Sequence, residues 1–288
     1  MRLLTDTDVA RFPIAQAVEA MRAALRLHAQ GRLTAPPRLS AAGLTFTVGT
    51  TPDAFGFRVY PVVKTPRSDQ LVAVWNTQGQ VEGVIVGSTL GPLRTSALGA
   101  VAADVLARPD ASRLGLIGSG TQAKAHALAV ATVRPLSQIL VYSRDAAHRQ
   151  KLAAELRALA LPAEAAASAE QVCAESNLLT LATNSAQPII QADWVHPGTH
   201  VCTLGPKEKE GCEFPPELAE RCTLIVTDSP AQLAATPGGP ILSAAIMRAL
   251  SECVQSPPPR REEDITLFLS VGLAGTEVVL AQKLFSQA

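Results

Sequence analysis

The stretch LGLIGSGTQAKAHALA, residues 114–129, sets Gly118, Gly120 and Ala123 at the spacing G-x-G-x-x-A, between a short apolar run and an alanine-rich helical stretch. Residues at this spacing either make a plain turn joining a buried strand to a helix, or make that turn and also admit a pyrophosphate. Gly118 allows the turn, Gly120 lets the backbone approach the phosphates, and Ala123 permits close packing of helix on strand. A helix starting at Thr121 presents unpaired N–H groups and a partial positive charge to an anion. The flanks RLGLI and TQAKAHALAVATV supply the strand and helix that the second reading needs. They favour dinucleotide binding, with Gly118, Ser119, Gly120, Thr121 and Gln122 around the phosphates.

The next strand candidate refines the chemistry. ILVYSRDAAHR places Ser143 and Arg144 where a dinucleotide site meets the adenosine ribose, with Asp145 one position later. An acid there suits the free hydroxyls of NAD, whereas an arginine suits the 2′-phosphate of NADP. Arg144 can bond a phosphate through two parallel N–H groups, with Ser143 as a short donor. NADP(H) is favoured, and Asp145 keeps NAD(H) open.

These residues need a frame. The chain has 288 residues, 47% of them hydrophobic and 17% charged, enough for two domains with real cores. Its 25 basic and 25 acidic residues cancel, so no general attraction to nucleic acid or anionic membrane is expected. Five cysteines without C-x-x-C spacing argue against a disulfide framework or a zinc site, and the histidines lack metal-ligand spacing. The start MRLLTDTDVARF has no apolar core of a signal peptide, and no apolar run reaches membrane-spanning length. A cytoplasmic protein is expected.

Residues 14–30 carry apolar positions at helical spacing before Gly31. LTFTV, GFRVYPVV, LVAVW and VEGVIV then read as a small, largely antiparallel sheet, and Pro92 opens a helix running to Ala107. From Arg113 strands at 114–117, 138–142, 177–182, 199–203 and 223–227 alternate with helical stretches such as 121–133 and 146–160. That alternation predicts a doubly wound parallel sheet. After the Pro-rich loop QSPPPRREED, a short strand, a glycine turn and a last helix close the chain.

Read together, APPRLS, GFRVY, LGPLRTSALGAVAADVLA, LGLIGSGTQAKAHALA, VYSR, LATNSAQPII, WVHPGTHVCTLGPK and DITLFLSVGLA resemble the ornithine cyclodeaminase/μ-crystallin family over most of the chain. The resemblance implies an α/β fold in which a Rossmann-type sheet (109–263) is inserted in an α+β substrate-binding and dimerisation domain (1–108, with 264–288 returning to it). It implies homodimers acting on amino or imino acids with NAD(P). A small sheet so rich in apolar strands also suggests that part of its surface is buried between subunits. By matching positions, Arg94 grips a substrate carboxylate, Arg38 is a second anion-binding position, and Arg58 stands where many relatives have lysine. Arg58 and Arg94 are thus the expected catalytic pair, and a guanidinium suits a carboxylate because it binds bidentately and keeps its charge. Thr183, Asn184, Leu204 and Gly205, just past strand ends, are expected beside the nicotinamide, with Ser270 and Gly272.

Two departures stand out. Arginine at position 58 does not release a proton at working pH, and Lys64 lies about 20 Å further along an extended strand. In TLGPKEKEG, cyclodeaminating relatives carry an aspartate just after the glycine, whereas Pro206 and Lys207 stand here and the first acids are Glu208 and Glu210. A lysine there repels an ornithine side chain. The expected activity is therefore NAD(P)H-dependent reduction of a cyclic ketimine or imino acid, or oxidation of the matching amino acid. The alternatives are ornithine cyclodeamination to proline and ammonia, or a crystallin-like protein that binds NADPH and ligand without turnover.

Overall fold

The computed structural model describes residues 1–63 and 69–287; Lys64 lies outside them. The chain forms two compact units, Met1–Leu98 with Gly272–Ala288, and Gly99–Val271.

The first unit opens with β1 (Arg2–Leu4), α1 (Asp6–Arg11) and α2 (Ile14–Ala29). Thr5 and Asp8 form a capping box at the start of α1, and α2 buries Val18, Met21 and Leu25 at helical spacing. Strands β2 (Leu39–Ala41), β3 (Leu44–Thr50), β4 (Ala54–Pro61), β5 (Gln70–Asn76) and β6 (Val81–Gly87) follow. The sheet runs β1-β6-β5-β4-β3-β2, antiparallel except where β1 lies parallel to β6.

Register sorts the side chains onto two faces. Thr47 lies opposite Arg58, and Arg58 opposite Val72, so these residues share the face against which the C-terminal helix Thr276–Gln287 packs. A Cβ on Gly56 would stand 3.2 Å from Val278, and one on Gly83 would enter the ring of Phe285. The opposite face is apolar and open. Leu39, Leu44, Val48 and Phe55 lie on it, with Phe55 stacked on Trp75 at 6.0 Å, and Leu39 is 65% exposed. From the end of β6, the amides of Ser88 and Thr89 both donate to the Asp6 carboxylate at 2.8 Å, which fixes the entry into α3 (Leu90–Leu106).

The second unit runs β7 (Arg113–Ile117), α4 (Thr121–Val130), β8 (Gln138–Tyr142), α5 (Ala146–Ala158), β9 (Ala163–Ala165), α6 (Ala169–Glu175), β10 (Leu178–Leu181) and β11 (His200–Thr203). A two-stranded hairpin β12 (Lys207–Glu208) and β13 (Gly211–Cys212) follows. Then come α7 (Leu218–Arg221), β14 (Leu224–Thr227), α8 (Pro230–Ala234), β15 (Arg248–Ala249), α9 (Leu250–Gln255) and β16 (Thr266–Leu269). The large sheet is parallel throughout, in the order β15-β14-β16-β11-β10-β7-β8-β9. Strand order reverses between β7 and β10, as in a doubly wound sheet. Its central strands are buried on both faces, which is why LLTL and HVCT read as continuous rather than alternating runs.

The units divide at 98/99 and 271/272, rather than at the expected 108/109 and 263/264. Two contacts explain the shift. The second half of α3 packs within the parallel-sheet unit, where Gly99 leaves room for His126 and the Leu106 carbonyl accepts from Thr266 Oγ1 at 3.2 Å. Strand β16 does not return with the C-terminal helix but sits between β11 and β14.

His126 and His200 are both buried in this unit. The Nδ1 of His126 meets Thr180 Oγ1, and that of His200 meets Thr266 Oγ1, each at 2.9 Å. Burial lowers the His126 pKa to about 4 and the His200 pKa to about 3. Between pH 6.5 and 4 the unfolded chain therefore binds protons that the folded chain refuses, and stability falls as pH falls. His126→Asn should flatten the slope of unfolding free energy between pH 6 and 5 by about one proton, ~1.4 kcal/mol per pH unit. Urea denaturation across that range measures it; an unchanged slope would mean that His126 protonates freely in the folded state.

Candidate functional site

In the second unit the chain leaves β7 through Gly118, whose φ of +121° and close approach to Ala182 (a Cβ would lie 2.2 Å from its carbonyl oxygen) require glycine. Gly120 is the N-cap of α4 and no side chain caps the helix there. A Cβ at Gly120 would meet nothing within 4 Å, so the backbone is open to a ligand. Ala123 is fully buried, as close strand–helix packing requires. A groove of about 590 Å³ opens beside this turn, lined by Ser119, Gly120 and Thr121 and by Lys124, His148, Lys151, Leu152 and Glu155. An uncapped helix start, an open glycine and neighbouring cations fit the phosphates of a dinucleotide.

At the end of β8, Arg144 is exposed. The Ser143 hydroxyl donates to the Asp145 carbonyl, and the Ser143 carbonyl accepts from Arg149. Asp145 is the N-cap of α5, accepting the His148 amide at 3.1 Å. The acid that kept NAD open in the sequence is therefore engaged in helix capping.

Across the strand-order reversal, Thr183 and Gly205 follow β10 and β11, with Asn184 exposed and Leu204 half-buried. The structure joins their loops through Glu213, a fully buried carboxylate. Ser270 is buried at the end of β16, where its hydroxyl lies 3.3 Å from Asp228. Lys207 is buried rather than solvated, and its ammonium donates to the Gly205 carbonyl. Glu208, Lys209 and Glu210 are exposed.

In the first unit, Arg58 on β4 and Arg94 on α3 share one carboxylate, Glu277 of the C-terminal helix. Arg94 Nη2 lies 2.8 Å and Arg58 Nη1 3.2 Å from Glu277 Oε1, and all three side chains are at least 90% buried. Arg58 Nε also donates to Gln70 Oε1 at 2.8 Å, and its guanidinium stacks over the Tyr60 ring. Burial alone would raise the Glu277 pKa, but the charges of Arg94 and Arg58 outweigh it and hold the carboxyl below its ordinary value. Burial pulls the Arg58 pKa down, with Glu277 opposing, yet arginine starts high enough to stay charged. Arg94 Nε is buried without a hydrogen-bond partner. A Cβ on Gly272 would lie 3.0 Å from Arg94 Nη1 and 3.4 Å from Arg38 Nη2, so a glycine with φ +91° lets two guanidiniums converge.

Arg38, Arg58, Arg94 and Gly272, read as site residues from four separate segments, thus meet in one unit. Glu277, Gln70, Tyr60 and Glu213 were not singled out. Glu277 sits in an apolar helical run, GTEVVLA, and a lone acid on a buried helix face was the available signal.

A doubly wound parallel sheet with an open glycine turn in one unit, and a buried arginine pair in a separate α+β unit, define a Rossmann-type α/β protein. The sequence profile of the Ornithine cyclodeaminase/mu-crystallin family matches residues 66–288, and the chain belongs to that family. It is 28% identical over 255 residues to a delta(1)-pyrroline-2-carboxylate reductase of Bacillus cereus, covering 82% of this chain and 78% of that protein. It is 25% identical over 210 residues to a ketimine reductase mu-crystallin of Macropus fuliginosus, covering 73% and 66%. In fold it is similar to the Thermococcus litoralis delta(1)-pyrroline-2-carboxylate reductase solved in complex with NADH and L-proline, with a TM-score of 0.89 over 100% of this chain and 97% of that one, at 22% identity.

The shared carboxylate makes a firm prediction. Glu277→Gln leaves two buried guanidiniums facing each other without a counter-charge, which should destabilise the protein by about 3–5 kcal/mol. Chemical denaturation measures this, and a loss below about 1 kcal/mol would show that solvent screens the cluster.

Proposed function

We propose that the chain is an NAD(P)H-dependent oxidoreductase that reduces a C=N bond alpha to a carboxylate, in a cyclic ketimine or imino acid, or oxidises the matching amino acid. The observation that carries this reading is the arginine cluster. Two buried guanidiniums share a single glutamate, so net positive charge is held ready for an anionic substrate, and Arg94 retains an unpartnered Nε. Arg94 takes the substrate carboxylate, Arg38 supports it near Gly272, and Arg58 stabilises charge while Gln70, Tyr60 and Glu277 fix its orientation. None of the three arginines delivers a proton at working pH, so their work is binding and orientation. The dinucleotide supplies the hydride. Gly118, Ser119, Gly120, Thr121 and Gln122 hold its phosphates, and Thr183, Asn184, Leu204, Gly205, Ser270 and Gly272 serve the nicotinamide. The names of the curated relatives, an imine reductase and a ketimine reductase, support the same chemistry. Pro206 and Lys207 stand where cyclodeaminating relatives carry an aspartate, so the counter-charge that an ornithine side-chain ammonium needs is missing there, which disfavours ornithine.

NADPH is the preferred donor in this reading. Asp145 is committed to its helix, Arg144 is exposed at the strand end, and Lys124, His148 and Lys151 line the groove, a setting suited to an extra phosphate. The test is turnover of cyclic imino acids, keto acids with amines, and ornithine, followed by NADPH and NADH absorbance. Wild type should oxidise NADPH with a cyclic imino acid. Arg94→Lys should lose about a hundredfold in turnover efficiency at unchanged NADPH affinity, because the charge remains but the bidentate fork is gone. Arg144→Ala should weaken NADPH about tenfold or more and NADH little. Ammonia from ornithine, or NADPH binding without turnover on any substrate, would overturn the reading.

The apolar outer face of the first unit's sheet is covered by the same face of a second copy, giving a twofold homodimer. Five unpaired thiols suit a reducing cytoplasm. Sedimentation should find a dimer at micromolar concentration, and Phe55→Glu should shift it to monomer; a wild-type monomer would remove this assignment.

A further inference from the structure

The buried carboxylate of Glu213 has no part in the chemistry described so far, yet it accepts four hydrogen bonds at its edge of the parallel sheet. Its Oε2 accepts the Thr183 amide at 2.9 Å and the Thr183 hydroxyl at 2.8 Å. Its Oε1 accepts the Gly205 amide and the Thr203 hydroxyl, both at 2.6 Å. Four donors fill the four lone-pair positions of an ionised carboxylate, so Glu213 has nothing left with which to bind a ligand. Its own backbone is held as well, the amide donating to Pro206 at 3.1 Å and the carbonyl accepting from Ile189 at 3.0 Å.

Thr183 and Gly205 belong to two different loops, one after β10 and one after β11. They approach so closely that a Cβ on Gly205 would lie 2.3 Å from the Thr183 carbonyl oxygen and 2.4 Å from Glu213 Oε2. The Gly205 peptide is gripped from both ends: its N–H by Glu213, and its carbonyl by the Lys207 ammonium. Burial lowers the Lys207 pKa, while Glu213 and Asp228 oppose that shift and keep a counter-charge beside it. Lysine after Gly205-Pro206 is thus the cationic half of a clamp.

We propose that Glu213, seconded by Lys207, is a positioning residue that locks the loops after β10 and β11 into the shape that receives the nicotinamide half of the dinucleotide. This rests on the dinucleotide reading above. The topology assigns the half: β7 and β8, on one side of the reversal, carry the glycine turn and the adenosine end, while β10 and β11 lie on the other side. Two backbone amides set by one rigid acceptor keep their loops from relaxing when the ring departs. That lowers the ordering cost of binding the ring and not the cost of binding the remainder.

The experiment compares affinities of wild type, Glu213→Gln and Thr203→Val by calorimetry. The ligands are the reduced dinucleotide that wild type binds more tightly, NADPH or NADH, and its ring-less counterpart, 2′-phospho-ADP-ribose or ADP-ribose. Glutamine presents N–H groups to amides that need an acceptor, so Glu213→Gln should weaken the intact dinucleotide at least tenfold while the ring-less fragment stays within twofold. Thr203→Val removes one of the four donors at nearly constant volume. It should weaken the dinucleotide about threefold, again sparing the fragment, and it serves alone where Glu213→Gln does not fold. Equal losses for both ligands, or no loss for either in a folded variant, overturn the clamp and leave the dinucleotide reading standing. Wild type that binds no dinucleotide overturns both.

Discussion

A charge withdrawn from water must be answered by another, and this constraint shapes both units. In the first, Arg58 and Arg94 are held at the inner face of the sheet because Glu277 lies between them. Without that carboxylate, neither strand β4 nor helix α3 could keep a guanidinium in the interior. One negative charge against two positive ones is enough to permit burial and too little to neutralise it. The residual charge gives the cluster its chemical character, while the packing of the C-terminal helix on β4, β5 and β6 gives it rigidity.

The second unit answers the same constraint with backbone groups. Glu213 is satisfied by two amides and two hydroxyls, and Lys207 by a carbonyl, so the ends of β10 and β11 are cross-braced by ions. At the glycine turn, by contrast, the helix start is left uncapped and the backbone stays open. Braced loops on one side of the strand reversal and an open turn on the other are what a doubly wound sheet offers a bipartite ligand.

Much of this was legible in the sequence because the responsible residues are local. The glycine turn, the strands at 138–142 and 200–203, and helix α2 declare themselves through spacing and periodicity within a dozen residues. Arginines 38, 58 and 94 required the family resemblance, since nothing in APPRLS or GFRVY alone distinguishes a site residue from a surface one. Glu277 and Glu213 escaped for a different reason. Glu277 is defined by partners far along the chain, 183 and 219 residues away. Glu213 takes its partners from positions 8 to 30 residues upstream that only the fold brings onto one carboxylate. Glu213 also follows the charged run KEKEG, in which an acid reads as solvated. The place of β16 escaped likewise: its apolar pattern gives a strand, but only the sheet shows which neighbours it takes.

That place has a consequence for how the chain is made. Strand β16 is the last of the parallel strands to be synthesised, yet it lies inside the sheet, between β11 and β14. Until residues 266–269 emerge, β11 and β14 each expose a hydrogen-bonding edge that has no neighbour. The first unit waits as well, because its inner face is covered by residues 276–287. The growing polypeptide must therefore carry two unfinished sheets until residues 266–287 have been made. Premature termination shortly before Thr266 would leave the parallel sheet with raw edges and the first sheet with a bare inner face, which is the form of nascent protein that chaperones and proteases recognise.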